Sequence, residues 1–157
     1  MRTPALLVVL GSAALWLLAS LLVGTAANRL PERWLQGRAQ ASGAPSWPRL
    51  GIRVWKRWIP DAGPALTGGV AKASLVRRDP AALQRLAVET RRAELVHWVL
   101  WPVWLLTLPW LPPAGVLANL LFACLFNLPC VLVQRHNRGR IAAILGRCRG
   151  LRPPPPA

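Results

Sequence analysis

A chain of 157 residues, 54% of them hydrophobic and only 16% charged, holds one domain and more apolar surface than a soluble domain of this size can cover. That composition excludes an ordinary soluble enzyme and predicts an all-α integral membrane protein with two or three transmembrane helices. The formal net charge is +15, from 20 Lys and Arg against 5 Asp and Glu. These cations border apolar segments and form no nucleic-acid reading module, so they indicate anionic membrane lipid as a partner and no nucleic acid.

Residues 3–28 carry no charge. As a helix they reach about 39 Å, enough to cross a hydrocarbon core of about 30 Å. Two readings stay open, a retained transmembrane helix or a signal peptide with Arg2 as its basic end and Thr25-Ala26-Ala27 as a cleavage site. The apolar stretch exceeds the usual signal-peptide core, which favours the span. Residues 29–94 form a basic cytoplasmic or interfacial segment with 13 of the 20 cations and all 5 acids. Pro31, Pro45, Pro48, Gly37 and Gly43 predict irregular backbone with one short helix. Trp47, Trp55 and Trp58 alternate with Arg49, Arg53, Lys56 and Arg57. This is an amphipathic interfacial segment suited to the head-group layer, with substrate contact as the sharper alternative. Pro60-Asp61-Ala62-Gly63 predicts a turn. Asp79-Pro80 predicts a helix start, and the following residues, free of Gly and Pro, carry the helix to Trp98.

Residues 95–133 predict a C-terminal transmembrane hairpin that turns at Leu111-Pro112-Pro113-Ala114. The first arm, 95–111, is only about 26 Å long as a helix. It contains Pro102 and Pro109, so it is expected to kink or to re-enter. The second arm, 114–133, is about 30 Å long and predicts a full crossing. Residues 134–157 are a basic, Pro-rich tail with six arginines and no acid, extended at its end. Both basic segments are expected on the cytoplasmic face, because the turn between the arms is uncharged.

The polar residues at the hairpin's open ends carry whatever chemistry there is. At 100° per residue Thr90, Glu94 and His97 fall within about 60° of one another. Glu94 and His97, three apart, can touch, and a carboxylate beside an imidazole makes a general base. On the returning arm Asn127, Gln134 and Arg138 share a face if the helix continues. Glu94, His97, Gln134, Arg135, Asn137 and Arg138 are therefore expected to converge. The plainer alternative is that Glu94 pairs with Arg91 or with an arginine of the tail and holds the hairpin shut, while His97 hydrogen-bonds the other arm. Glu94-x-x-His97 is half of a carboxylate-bridged di-metal motif, but its other half is missing, so no metal is expected. Cys124, Cys130 and Cys148 form no CxxC pair, so neither zinc nor a disulfide framework is expected.

Two segments, ETRRAELVHW (Glu89 to Trp98) and NLPCVLVQRHNRGRI (Asn127 to Ile141), resemble the glycosyl-4,4'-diaponeurosporenoate acyltransferases of bacterial carotenoid synthesis. Glu89, Thr90, Arg92, Ala93, Glu94, Leu95, His97 and Trp98 fit the first motif, and Asn127, Pro129, Gln134, Arg135, Asn137 and Arg138 the second. Trp55-Lys56, the turn around Asp61 and Lys72 are similar to weaker upstream elements. His136 stands where the family usually has Tyr, Gly139 where Pro is common, and Ala62 interrupts a glycine pair.

The resemblance implies a membrane acyltransferase that esterifies a fatty acyl group onto a sugar hydroxyl of a glycosylated carotenoid or similar glycolipid. The implied catalytic pair is His97, taking the hydroxyl proton, and Glu94, orienting it. The implied substrate-binding residues are Asn127, Gln134, Arg135, Asn137, Arg138, Arg92 and Asp61. No cofactor is expected to be bound; an acyl-coenzyme A or acyl-carrier-protein donor is the co-substrate. The expected partners are that donor, an amphiphilic glycosylated acceptor and membrane lipid, in a bacterial plasma (inner) membrane. The alternative from another class is a non-catalytic membrane scaffold subunit of a biosynthetic complex.

Overall fold

The computed structural model describes residues 5–41, 51–55 and 80–150, and these are helical almost throughout. The interfacial tryptophan segment beyond Trp55, the turn around Asp61 and the helix start at Asp79 lie outside the described residues. Helix α1 (Ala5–Asn28) is followed by α2 (Glu32–Ala41) and the single turn α3 (Ile52–Trp55). Helix α4 (Pro80–Leu100) passes into a 3-10 helix (Trp101–Thr107), and α5 (Pro113–Gly150) returns.

Helices α1 and α5 are each long and apolar enough to cross a membrane. Helix α1 leaves Leu6, Leu7, Leu10, Leu17, Leu18, Leu21 and Leu22 exposed, as a lipid-facing helix does. With 38 residues α5 is about 57 Å long, nearly twice the hydrocarbon thickness. Its first twenty residues match the predicted crossing. The remainder carries the arginines of the tail as continuous helix to Gly150, and Pro129 is accommodated within it.

The other arm changes character where proline enters. Pro102 has no N–H to give to the preceding turn, and the backbone tightens into the 3-10 form from Trp101. Residues 95–107 in this combined form rise about 23 Å, less than a full hydrocarbon core. Thr107, fully buried, donates its hydroxyl to the Trp104 carbonyl at 2.6 Å. Bonds from the amides of Trp110 and Leu111 to the Thr107 carbonyl then close the turn before Pro113.

The arms pack antiparallel, with Leu100 near Ala123 at one level and Ala87 near Ile141 at another. Helix α1 completes the first of these levels. Trp16 joins Leu100, Val103 and Ala123 in one apolar cluster, and Gly11 leaves room for the Trp110 ring, which a Cβ there would meet at 3.2 Å. Trp16 also donates its indole N–H to Asn119 Oδ1 at 2.9 Å, and Asn119 Nδ2 donates to Ser12 Oγ and the Gly115 carbonyl. At the other end of α1, Arg92 of α4 donates to the carbonyls of Ala27 and Leu30. A buried guanidinium thus adds a donor to the Ala27 carbonyl in the last turn of α1, which also accepts the Leu30 amide, and caps the Leu30 carbonyl just beyond the helix. The end of α1 and the basic end of α5 therefore leave the bundle on the same side. The second apolar cluster, Leu83, Ala87 and Ile141, sits further along the hairpin.

Candidate functional site

Between the two apolar clusters lies a layer of buried polar side chains. Thr90 and Glu94 are fully buried, and Asn127, Gln134 and Arg138 are nearly so. The helical period puts Thr90, Glu94 and His97 on the α4 face toward α5, and the spacing of seven and four puts Asn127, Gln134 and Arg138 on the face that meets them. The structure brings Glu94 together with Arg135 and Arg138, and His97 together with Asn127.

Glu94 is the hub of this layer. Arg135 donates Nε to Glu94 Oε1 at 2.9 Å, Arg138 makes a close ion pair through Oε2, Arg91 reaches Oε2 at 3.3 Å, and Trp98 donates its indole N–H to Oε1 at 3.2 Å. Burial would raise the Glu94 carboxyl, but the bond from Arg135, the charge and bond of Arg138 and the bond from Trp98 outweigh it and hold the group below its ordinary value. Glu94 is therefore an anion whose work is to bind cations.

The two α5 arginines differ in what they have left to offer. Arg138, with its side chain 2% exposed, commits its terminal nitrogens to Glu94 and to the Thr90 carbonyl, which it approaches at 3.5 Å. Arg135, 43% exposed, lies with its guanidinium carbon 5.7 Å from the centroid of the Trp98 ring. Stacking on the indole and bonding to Glu94 aim it, and its two terminal nitrogens remain toward the surface.

His97 meets the opposite arm, as the plainer alternative had it. Its Nδ1 lies 3.1 Å from Asn127 Oδ1. Asn127 in turn donates Nδ2 to the Ala123 carbonyl at 3.0 Å. The hairpin register brings this α5 amide to the level of the ring.

The remaining predicted residues divide. Gln134 faces the layer, and its Oε1 is buried without a hydrogen-bond partner among the described residues, as is Arg138 Nε. Asn137 is half-buried on α5. Arg92 belongs to the α1 end, where it caps Ala27 and Leu30 and bonds to Glu89. Asp61 lies outside the described residues. Sequence reasoning missed Trp98 as a donor to Glu94, although the spacing of four on one helix face was the available signal. Beside Arg138 a groove of about 380 Å³ opens between α2, α4 and α5. Glu32, Gln36, Gln84, Arg85 and Arg138 supply its polar lining, and Ile141 and Leu145 part of its apolar one. Among the described residues no group of His, Cys, Asp and Glu is placed to hold a metal ion.

Fold and site together define a small helical protein, with two helices long and apolar enough to cross a membrane, in which the polar stripes of α4 and α5 meet in a buried ionic layer. The sequence profile of the glycosyl-4,4'-diaponeurosporenoate acyltransferases matches residues 31–147, so the chain belongs to that family and is an acyltransferase. It is similar to the glycosyl-4,4'-diaponeurosporenoate acyltransferases of Staphylococcus aureus strains USA300, NCTC 8325 / PS 47 and MRSA252, each 24% identical over 139 residues that cover 83% of either chain. No solved structure matches it.

Proposed function

We propose that this enzyme transfers a fatty acyl group from a thioester donor to a sugar hydroxyl of a glycosylated carotenoid acid or a closely similar glycolipid. The observation that carries this reading is the pairing, in one buried layer, of an imidazole with an arginine held ready at the surface. Acyl transfer to an alcohol needs both: a base for the hydroxyl proton and a cation for the oxyanion that forms as the oxygen attacks the carbonyl. His97 supplies the first. Arg135, fixed between Glu94 and Trp98 but open on its outer side, supplies the second. Glu94 holds the arginines in place and does not itself move a proton.

Gln134 Oε1 and Arg138 Nε are polar capacity left over inside the layer, suited to hold the sugar or the thioester carbonyl. The groove beside Arg138 offers the donor an amphipathic bed, with Arg85 for phosphate and Ile141 and Leu145 for the methylene chain. The acceptor is itself an amphiphile, so a site at the end of two apolar helices lets it stay in lipid while its sugar reaches the arginines. The C-terminal end of α1, followed at once by Arg29, and the arginine-rich end of α5 share one side of the bundle, and the positive-inside rule supports a cytoplasmic position for that side and the site. The donor is then an acyl-coenzyme A or acyl-carrier protein.

Purified protein in liposomes, given an acyl thioester and a glycosylated carotenoid acid, tests the reading. Ester on the sugar, formed by this protein alone, is the expected product. Its absence across several donor and acceptor pairs would support a scaffold instead.

A further inference from the structure

We propose that the groove between α2, α4 and α5 binds the phosphopantetheine arm of the acyl donor, the part that acyl-coenzyme A and acyl-carrier protein share, and that the fatty chain lies outside it, in lipid. The inference rests on the reading of the chain as an enzyme that takes its acyl group from a thioester.

The groove begins at the ionic layer and leads away from the apolar spans. Arg138 lines it and also holds Glu94. On α4 Trp98, Arg91 and Gln84 are seven apart, and on α5 so are Arg135 and Ala142. The groove therefore continues the face on which Arg135 stacks on Trp98. From Arg138 to Gly146 the α5 wall rises about 12 Å. A phosphopantetheine arm has about twelve bonds between sulfur and phosphate, the equivalent of about four extended residues or about 14 Å. A thioester whose sulfur end reaches Arg138 and Arg135 therefore carries its phosphate toward the far end, within reach of Arg85.

The lining separates this arm from a fatty chain. Val88, Arg138 and Ile141 form a buried floor, whereas Glu32, Gln36, Gln84 and Arg85 form an exposed rim. A fatty chain laid there would keep one side against water and polar groups. The arm carries both kinds of surface. Its methylene and gem-dimethyl groups suit the floor, and its two amides and hydroxyl can pair with Gln36, Gln84 and Glu32. Its phosphate suits Arg85, with Arg147 just past that end adding positive potential. Arg138 Nε, buried without a hydrogen-bond partner among the described residues, is polar capacity at the thioester end. The volume, about 380 Å³, lies within the range of about 300–1,000 Å³ for small-ligand clefts. The methylene chain bedded on Ile141 and Leu145 is thus that of the arm, and the acyl chain is left to the apolar side of the layer.

Gly146 offers the test. It lines the groove, and a Cβ added there meets nothing within 4 Å, so a larger side chain enters open space at the far end without displacing a neighbour. The full chain in liposomes is assayed as wild type, Gly146→Leu and Arg85→Gln. Gly146→Leu should raise KM for acyl-coenzyme A and acyl-carrier protein alike by about 10-fold or more, with kcat at saturation and the unfolding midpoint unchanged. KM for an acyl-N-acetylcysteamine thioester, which lacks the outer arm, should not move, nor should the order of preference among acyl chain lengths. Arg85→Gln should raise KM for acyl-phosphopantetheine about 10-fold and leave that for acyl-pantetheine alone. Phosphopantetheine without an acyl group should bind wild type in calorimetry, and Gly146→Leu about 10-fold more weakly. A changed chain-length preference in Gly146→Leu would put the fatty chain in the groove and overturn the inference. So would a KM change confined to one donor, or phosphopantetheine that fails to bind wild type or binds both proteins equally. If wild type binds phosphopantetheine in the groove but acylates no acceptor, the arm site holds and it is the acyl-transfer reading that fails.

Discussion

The hairpin holds itself together in two different ways at two levels. At the level of Trp16, Leu100, Val103 and Ala123 the contacts are apolar, and a single amide, Asn119, ties α1 to α5. At the level of Glu94 the same two arms meet through an anion and three cations, where packed side chains of similar size would have cost less to desolvate. A chain that needed only to stay folded would have repeated the first solution. In the function proposed above, the second holds charge in a fixed place, and that would separate the site from the scaffold around it.

The largest effect should come from Glu94→Gln, which leaves Arg138 buried without its counter-charge. Breaking a buried pair in this way costs about 3–5 kcal/mol, read as a lower midpoint in thermal unfolding in detergent, together with loss of acylation. Arg135→Ala should separate the two roles: with its side chain 43% exposed, the hairpin should keep its midpoint to within about 1 kcal/mol while acylation falls about 100-fold or more. Asn119→Leu sharpens the comparison from the other level. It should lower stability by about 1–3 kcal/mol through the orphaned Trp16 N–H, while the rate per folded molecule stays unchanged. The smallest effect is on pH. Because Glu94 titrates below its ordinary value in the folded chain, its contribution is fully present above the unfolded value near 4.5 and is lost as pH falls through the lower folded value. Acid destabilisation from this group should thus set in below about 4.5 in wild type and be complete below the lower folded value, and Glu94→Gln should flatten this limb.

Much of this layer is legible in the sequence because it is made of helical periods. Thr90, Glu94 and His97 declare one face of α4, and Asn127, Gln134 and Arg138 declare one face of α5, whatever the rest of the chain does. The all-α fold, the two apolar spans and the turn before Pro113 follow from uncharged runs and proline, which act locally. Pairings across the arms do not, since they depend on the hairpin register, and the register depends on how many residues the first arm spends in the tighter 3-10 rise after Pro102. This is why the sequence left open which tail arginines meet Glu94, and the structure brings Arg135 and Arg138 to it. The reach of Arg92 to the end of α1 was hidden for the same reason: it joins residues more than sixty apart, with no pattern in either segment to announce it.

The most direct measurement is the initial rate of sugar acylation by His97→Ala, in liposomes and corrected for folded protein, against wild type. A general base at that position predicts a fall of about 100- to 10,000-fold with the unfolding midpoint nearly unchanged. A variant that acylates as fast as wild type would contradict the account, because the polar layer would then be an ionic clasp and the chemistry would have to lie elsewhere.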